Sequence, residues 1–395
     1  MANDKKKEYT LQTTIRREEP SKERQMKRGI IPAAAMLSLA ILACEFGQVG
    51  TIPTLKTSPY DLGRTVYGFF PSPPEATTQS VIDTYSAMGR HGDVALVQQN
   101  IPWADFVSGP DKGENIIKDL RNQYILAHQN GLEVIFVVDP LNGLNRREFA
   151  GLPAGWEASF ANPQVRSAFT NYTLRVVREF HPRYLGLASE INTYADTHPD
   201  DYPNYFSLYL EVYDAVKSEA PETQVFVTFQ WEELNNLMPS VAQGEPHDVN
   251  WDQIEQYEPK LDLWVISSYP FAIFPSGADI PADYYSPLRE RTSKPLAVAE
   301  GGYSSEPVGS FSGTPQDQVD YLNAIHSQIG GKRLVFWIYL LLSDFNLESY
   351  AKIMNQQGKG GDVATLGMFA SVGLRKSDGT PKPALEVWDS YRNGG

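Results

Sequence analysis

The sequence predicts an α/β fold: an eight-stranded parallel barrel of the (β/α)8 TIM type, in a single domain. Three observations predict it. From Arg64 onward, short apolar runs alternate with longer amphipathic stretches, as in parallel strands joined by crossover helices. Most runs are apolar at consecutive positions, which suits strands packed inside and covered by helices outside. Two runs, Tyr184-Leu-Gly-Leu-Ala-Ser-Glu190 and Pro295-Leu-Ala-Val-Ala-Glu300, end in a glutamate. Side chains alternate along a strand, so Gly186, Ala188 and Glu190 share one face and Leu185 and Leu187 the other. Small residues on one face fit a crowded barrel interior, and the carboxyl ends of the strands are where such barrels keep their chemistry.

In order, the expected strands are Thr65–Pro71, Val94–Gln99, Glu133–Asp139, Tyr184–Glu190, Gln224–Gln230, Leu263–Tyr269, Pro295–Glu300 and Leu334–Tyr339. The expected helices between them are Gln79–Gly89, Gly113–Gly131, Pro163–Phe180, Tyr205–Ala220 and Thr314–Ile329, with Ala384–Arg392 closing the ring. Thr314 reads as an N-cap, with Pro315 at the first helical position. A doubly wound open sheet is the competing architecture. It would carry a glycine-rich phosphate loop after its first strand, where this chain has Gly68-Phe-Phe-Pro-Ser-Pro-Pro74.

The chain has 395 residues, 42% of them hydrophobic, enough for one barrel with generous loops. A net charge of −14 argues against a nucleic-acid partner, because the phosphate backbone would repel it. Residues 1–43 read as an N-terminal extension and signal segment, 44–60 as a tether and 61–395 as the barrel domain. From Met26 the chain has a short basic start, an uncharged apolar stretch, and Ile41-Leu42-Ala43-Cys44. That last run resembles a bacterial lipobox. The resemblance implies lipidation at Cys44, a membrane anchor, a true start at Met26 and an extracytoplasmic lipoprotein at the periplasm or cell surface. The alternatives are a membrane-spanning anchor or a buried helix; the uncharged run is short for a span. Cys44 is the only cysteine, so no intramolecular disulfide can form.

Residues at or just past the strand ends would line one mouth of the barrel. They include Gln99 and Trp103, Asp139, Glu190 and Asn192, Gln230 and Trp231, Tyr269, Glu300 and Trp337. No histidine ends a strand and no lysine is placed for a Schiff base, so neither a metal nor a cofactor is implied. Carboxylates, amides and flat aromatic faces together suit a sugar. Two glutamates across a groove can hydrolyse a glycosidic bond, one as acid then base, the other as nucleophile. Singly, each of Trp103, Trp231 and Trp337 reads as core as readily as sugar platform. Asp139 before a proline can simply cap a turn, and Glu232 and Glu233 read as a solvated loop or helix start.

These residues resemble the clan A glycoside hydrolases, retaining enzymes on an eight-fold barrel. Leu187-Ala-Ser-Glu-Ile-Asn192 is similar to their strand-four motif, which implies that Glu190 is the acid/base. Ala297-Val-Ala-Glu-Gly-Gly-Tyr303 is similar to their strand-seven motif, which implies that Glu300 is the nucleophile. Asp262-Leu-Trp-Val-Ile-Ser-Ser-Tyr-Pro-Phe271 resembles strand six of endo-β-1,4-galactanases, implying that Tyr269 orients the nucleophile. Gly373-Leu-Arg-Lys-Ser-Asp-Gly-Thr-Pro-Lys-Pro-Ala384 resembles the approach to the last helix in that clan. Two departures stand out: Ser189 holds the place of the clan's usual asparagine, and the arginine often found on strand two is missing from Val94–Gln99. The expectation is a monomeric, endo-acting retaining β-glycosidase for a neutral polysaccharide or oligosaccharide, of the galactanase, glucanase or mannanase kind. The rivals are a catalytically inactive barrel that binds glycans at the cell surface, and an unrelated barrel enzyme using Glu190 as a proton-abstracting base.

Overall fold

The computed structural model describes residues 58–356 and 360–394. The expected signal segment, Met26, Cys44 and most of the tether lie outside these residues. The strands are β1 (Val66–Phe69), β2 (Val94–Asn100), β3 (Glu133–Asp139), β4 (Leu141–Asn142), β5 (Asn145–Phe149), β6 (Tyr184–Gly186), β7 (Gln224–Phe226), β8 (Thr228–Gln230), β9 (Trp264–Ser268), β10 (Leu296–Gly301) and β11 (Leu334–Tyr339). All but β4 and β5 belong to one parallel sheet, ordered β7-β6-β3-β2-β1-β11-β10-β9-β8. β4 and β5 form a separate antiparallel hairpin.

The sheet closes because its two end strands are halves of one run. Gln224–Gln230 is interrupted at Val227; the first half pairs with β6 and the second with β9. Two further backbone bonds cross the break, from Leu187 N to Phe226 O at 2.9 Å and from Thr228 N to Ala188 O at 3.2 Å. Counted this way, the barrel has the expected eight strands.

The helices fall where the apolar periodicity puts them, including Thr78–His91, Glu114–Gln129, Pro163–Phe180, Tyr202–Glu219, Pro315–Ile329 and Pro383–Arg392. Thr314 caps its helix, accepting from Asp317 N at 3.3 Å, and Pro315 stands at the first helical position. The barrel interior is tight. A Cβ on Gly186 would lie 2.9 Å from both Phe226 Cε2 and Val137 Cγ2. Phe336 fills the space beyond, its ring centroid 5.2 Å from Tyr184 and 5.7 Å from Phe226. Outside, Trp388 of the last helix packs on Tyr67, Phe69 and Trp337 and joins that helix to the first and last barrel strands.

One expected boundary needs correcting. β6 ends at Gly186 instead of Glu190, because the backbone must leave the ladder to turn at Glu190.

Candidate active site

Glu190 sits in the left-handed region, φ 50 and ψ 46, as N-cap of the helix Ile191–Thr197. That conformation costs a residue with a side chain about 1–2 kcal/mol. Its surroundings hold it there: Glu190 N donates to Thr228 Oγ1 at 2.8 Å, and Thr193 N donates to Glu190 O at 3.1 Å. Backbone strain of this kind collects at functional sites. The sequence signals nothing of it, since only the closed barrel brings Thr228 alongside.

Both carboxylate oxygens of Glu190 are engaged. Oε1 accepts from Ser267 Oγ at 2.6 Å, and Oε2 accepts from Arg146 Nε at 3.2 Å. Arg146 comes from β5, and its Nη1 also donates to Asp139 Oδ2. Asp139 is held further by Gln98 Nε2 at 2.5 Å and by Leu141 N at 3.2 Å. Across the site, Glu300 Oε1 accepts from Tyr269 Oη at 2.6 Å. Glu300 Oε2 and Arg146 Nη2 are buried without hydrogen-bond partners among the described residues.

Asp139, Arg146 and Glu190 are 0% exposed and Glu300 only 1%, so the carboxyls are withdrawn from solvent in this state. Burial raises the proton affinity of all three. Glu300 is pushed up to about 8, by burial first and then by the negative charge of Glu190; Arg146 and the Tyr269 hydroxyl pull it the other way. Arg146 and Ser267 likewise pull Glu190 down against its burial. Burial opposes the charge of Arg146, but Asp139, Glu190 and Glu300 outweigh it and keep the guanidinium protonated. At neutral pH this glutamate pair therefore retains a proton.

The structure brings Asp139, Glu190, Tyr269 and Glu300 together through Arg146 and hydrogen bonds. It treats the other expected residues differently. Trp337 needs correcting: it packs on Tyr67 and Trp388, between strand and outer helix, and is fully buried. Trp103 and Trp231 are also buried, donating their indole N–H groups to Ala150 O and Tyr284 O, so they offer no open face to a sugar. Gln99 yields to its neighbour, because alternation turns Gln98 toward Asp139 and Gln99 the other way. Asn192 and Gln230 spend their amides on scaffolding. Asn192 bonds both the N–H and the C=O of Gln230, while Gln230 bonds Glu232 Oε2 and Glu233 N.

Sequence reading passed over Arg146, Ser267 and Gln98. Arg146 was within reach, because Asn142-Gly143 between short runs signals a hairpin, and a hairpin there returns the chain over the mouth. Glu232 and Glu233 need correcting as well: both are buried rather than solvated, and Glu233 Oε2 accepts from Thr193 Oγ1 at 2.5 Å. Among the described residues, no group of three or more His, Cys, Asp or Glu side chains is arranged to hold a metal ion.

No protein-family model and no curated protein sequence matches the chain. Solved structures do. A GH5_18 protein from Bifidobacterium longum subsp. longum, in complex with Manβ1-4GlcNAc, superposes with a TM-score of 0.58 at 15% identity, over 83% of this chain and 78% of that one. An exo-β-1,4-mannosidase from Opitutaceae bacterium strain TAV5 gives 0.56 at 14% identity, over 84% of this chain and 59% of that one. A family 39 glycoside hydrolase from Bacteroides cellulosilyticus WH2 gives 0.51 at 14%, over 84% and 64%. This chain thus spans about three-fifths of the mannosidase and of the family 39 protein. It has the fold of these glycoside hydrolases, the eight-fold barrel.

Proposed function

We propose that the chain is a retaining β-glycosidase, with Glu190 as acid/base and Glu300 as nucleophile. One observation carries the reading: Tyr269 holds Glu300 Oε1 while Oε2 is left without a partner. A nucleophile needs one oxygen anchored and one free. The two carboxyls share one proton; the reactive form is the one with that proton on Glu190, in which the free oxygen of Glu300 attacks the anomeric carbon as the proton passes to the leaving oxygen. Once Glu300 is esterified its charge is gone, the repulsion on Glu190 falls, and Glu190 takes a proton from the incoming water. Arg146 supplies a cation to the site from the hairpin, as the missing strand-two arginine would have done from the sheet.

The substrate proposed is a neutral β-linked polysaccharide or oligosaccharide. Asp139, Glu190 and Glu300 face a single cation, Arg146, so a uronate would add negative charge to a site already rich in it. Galactan, glucan and mannan are the chains to try, and sizing the products decides between internal and terminal cleavage. The proposed location is extracytoplasmic, with a lipid on Cys44 as its anchor.

The deciding experiment is chemical rescue. Glu300→Ala should abolish turnover, with azide restoring it as the glycosyl azide of inverted configuration. Glu190→Ala should lose least on substrates whose leaving group needs no proton, and azide should then give the retained product. Full activity of both variants would reject the assignment. A second reading, a barrel that binds glycans without turnover, is favoured by the occupied oxygens of Glu190. Oligosaccharide binding by a parent that cleaves none would select it.

A further inference from the structure

A further buried carboxylate, Glu232, has no part in the steps above. Glu232, at the end of the fifth barrel strand, is 0% exposed and forms no ion pair among the described residues. Four neutral donors surround it instead. Ser268 Oγ at 2.6 Å and Tyr284 Oη at 3.2 Å meet Oε1; Gln230 Nε2 at 2.6 Å and Tyr269 N at 3.1 Å meet Oε2. Such an arrangement is costly unless every lone pair is used.

The bond to Tyr269 is the informative one. β9 ends at Ser268, so the amide of Tyr269 has left the parallel ladder. Glu232 takes that amide, and the same residue's ring reaches over to donate to Glu300 Oε1. Ser268, on the other oxygen of Glu232, is fixed in turn by Tyr285 Oη at 2.8 Å, and its carbonyl accepts from Gly302 N at 3.3 Å. The carboxylate therefore ties the end of the fifth strand to the end of the sixth at the point where the nucleophile is aimed.

We propose that Glu232 is a positioning residue for the proposed hydrolysis: it fixes the backbone of Tyr269, and through it the orientation of Glu300. The inference rests on the glycosidase reading for its kinetic consequence but not for its structural one. Burial pushes the Glu232 carboxyl up to about 7, while Ser268 and the Tyr269 amide pull it down. Glutamine can take its place without breaking this tie: with its oxygen in the Oε2 place it still accepts from Gln230 and Tyr269, and its N–H groups donate to the hydroxyls of Ser268 and Tyr284. Alanine leaves the Tyr269 amide without its acceptor.

The test is Glu232→Ala in the full chain, alone and combined with Tyr269→Phe. Misplacing the nucleophile's partner should lower kcat by about a hundred-fold with KM nearly unchanged. In the double variant the two losses should not multiply, because both act through one hydroxyl. Losses that multiply, or a Glu232→Ala variant with parental kcat, would overturn the proposal. A crystal structure of Glu232→Ala reads the same point without activity: displacement of Tyr269 Oη from Glu300 supports it, and an unchanged 2.6 Å contact refutes it. If that variant does not fold, Ser268→Ala and Tyr284→Phe each remove one donor from Glu232 and face the same criteria. A parent inactive on every β-glycoside would defeat the glycosidase reading and leave the crystallographic arm to judge Glu232 on its own.

Discussion

Arg146 Nε lies 3.2 Å from Glu190 Oε2, although the two residues belong to connections on opposite sides of the long helix Pro163–Phe180. The guanidinium is wholly buried between Glu190 and Asp139. Removing it would leave two carboxyls facing each other in a low-dielectric interior. Arg146→Ala should therefore lose about 3–5 kcal/mol of stability, measured by urea unfolding at neutral pH. A loss within experimental error would show that the hairpin does not carry this charge into the folded state.

The Tyr269 hydroxyl donates to Glu300 and favours its charged form. Tyr269→Phe withdraws that help, so the Glu300 carboxyl should rise further and the acidic limb of kcat/KM should move to higher pH. The accompanying fall in kcat should be roughly 10- to 100-fold. An acidic limb that stays in place would detach Tyr269 from the nucleophile.

Stability should depend on pH through the same carboxyl. Glu300 has an ordinary value of 4.5 and a folded-state value of about 8, so the folded protein binds the proton more tightly than the unfolded chain does. Its contribution is therefore fully present below the ordinary value and is lost as pH rises toward the folded one. Glu300→Gln carries no such loss. Thermal melts at about pH 5 and about pH 8 should show the variant gaining on the parent as pH rises. A constant gap would contradict the shift.

Gly186→Ala tests the packing of the interior. The new methyl would meet Phe226 and Val137 at 2.9 Å, inside van der Waals contact on both sides. The expected cost is about 1–3 kcal/mol, read from chemical denaturation. A neutral substitution would mean that the ring has slack at the strand that ends near the acid/base.

Export from Met26 should attach labelled fatty acid to the protein, and Cys44→Ala should abolish the labelling. Mature protein that retains residues 30–43 would exclude processing at Cys44.

The barrel was legible because its signals are local. Strand after strand is a short apolar run between helices with a clear apolar face, and the small side chains of Gly186 and Ala188 announce a crowded interior. Both glutamates stand out because each ends such a run. What surrounds them could not. Ser267, Gln98 and Arg146 meet Glu190 and Asp139 only after distant strands pair, and a polar residue on a strand looks the same whether it faces a partner or solvent. The tryptophans misled for a related reason. An indole at a strand end carries no mark of which face it takes, and Trp337 takes the face that packs on Trp388. Gln99 against Gln98 is the same error at one residue's remove, since a single step along a strand reverses direction.

The break at Val227 ties the conformation of Glu190 to the closing of the sheet. Only there do the two ends of the sheet meet, and the Thr228 hydroxyl just past the break receives the amide of Glu190. Until that seam is sewn, Glu190 has no reason to hold its left-handed turn and no fixed place opposite Glu300. A chain in which that seam is open therefore lacks the geometry proposed for the pair.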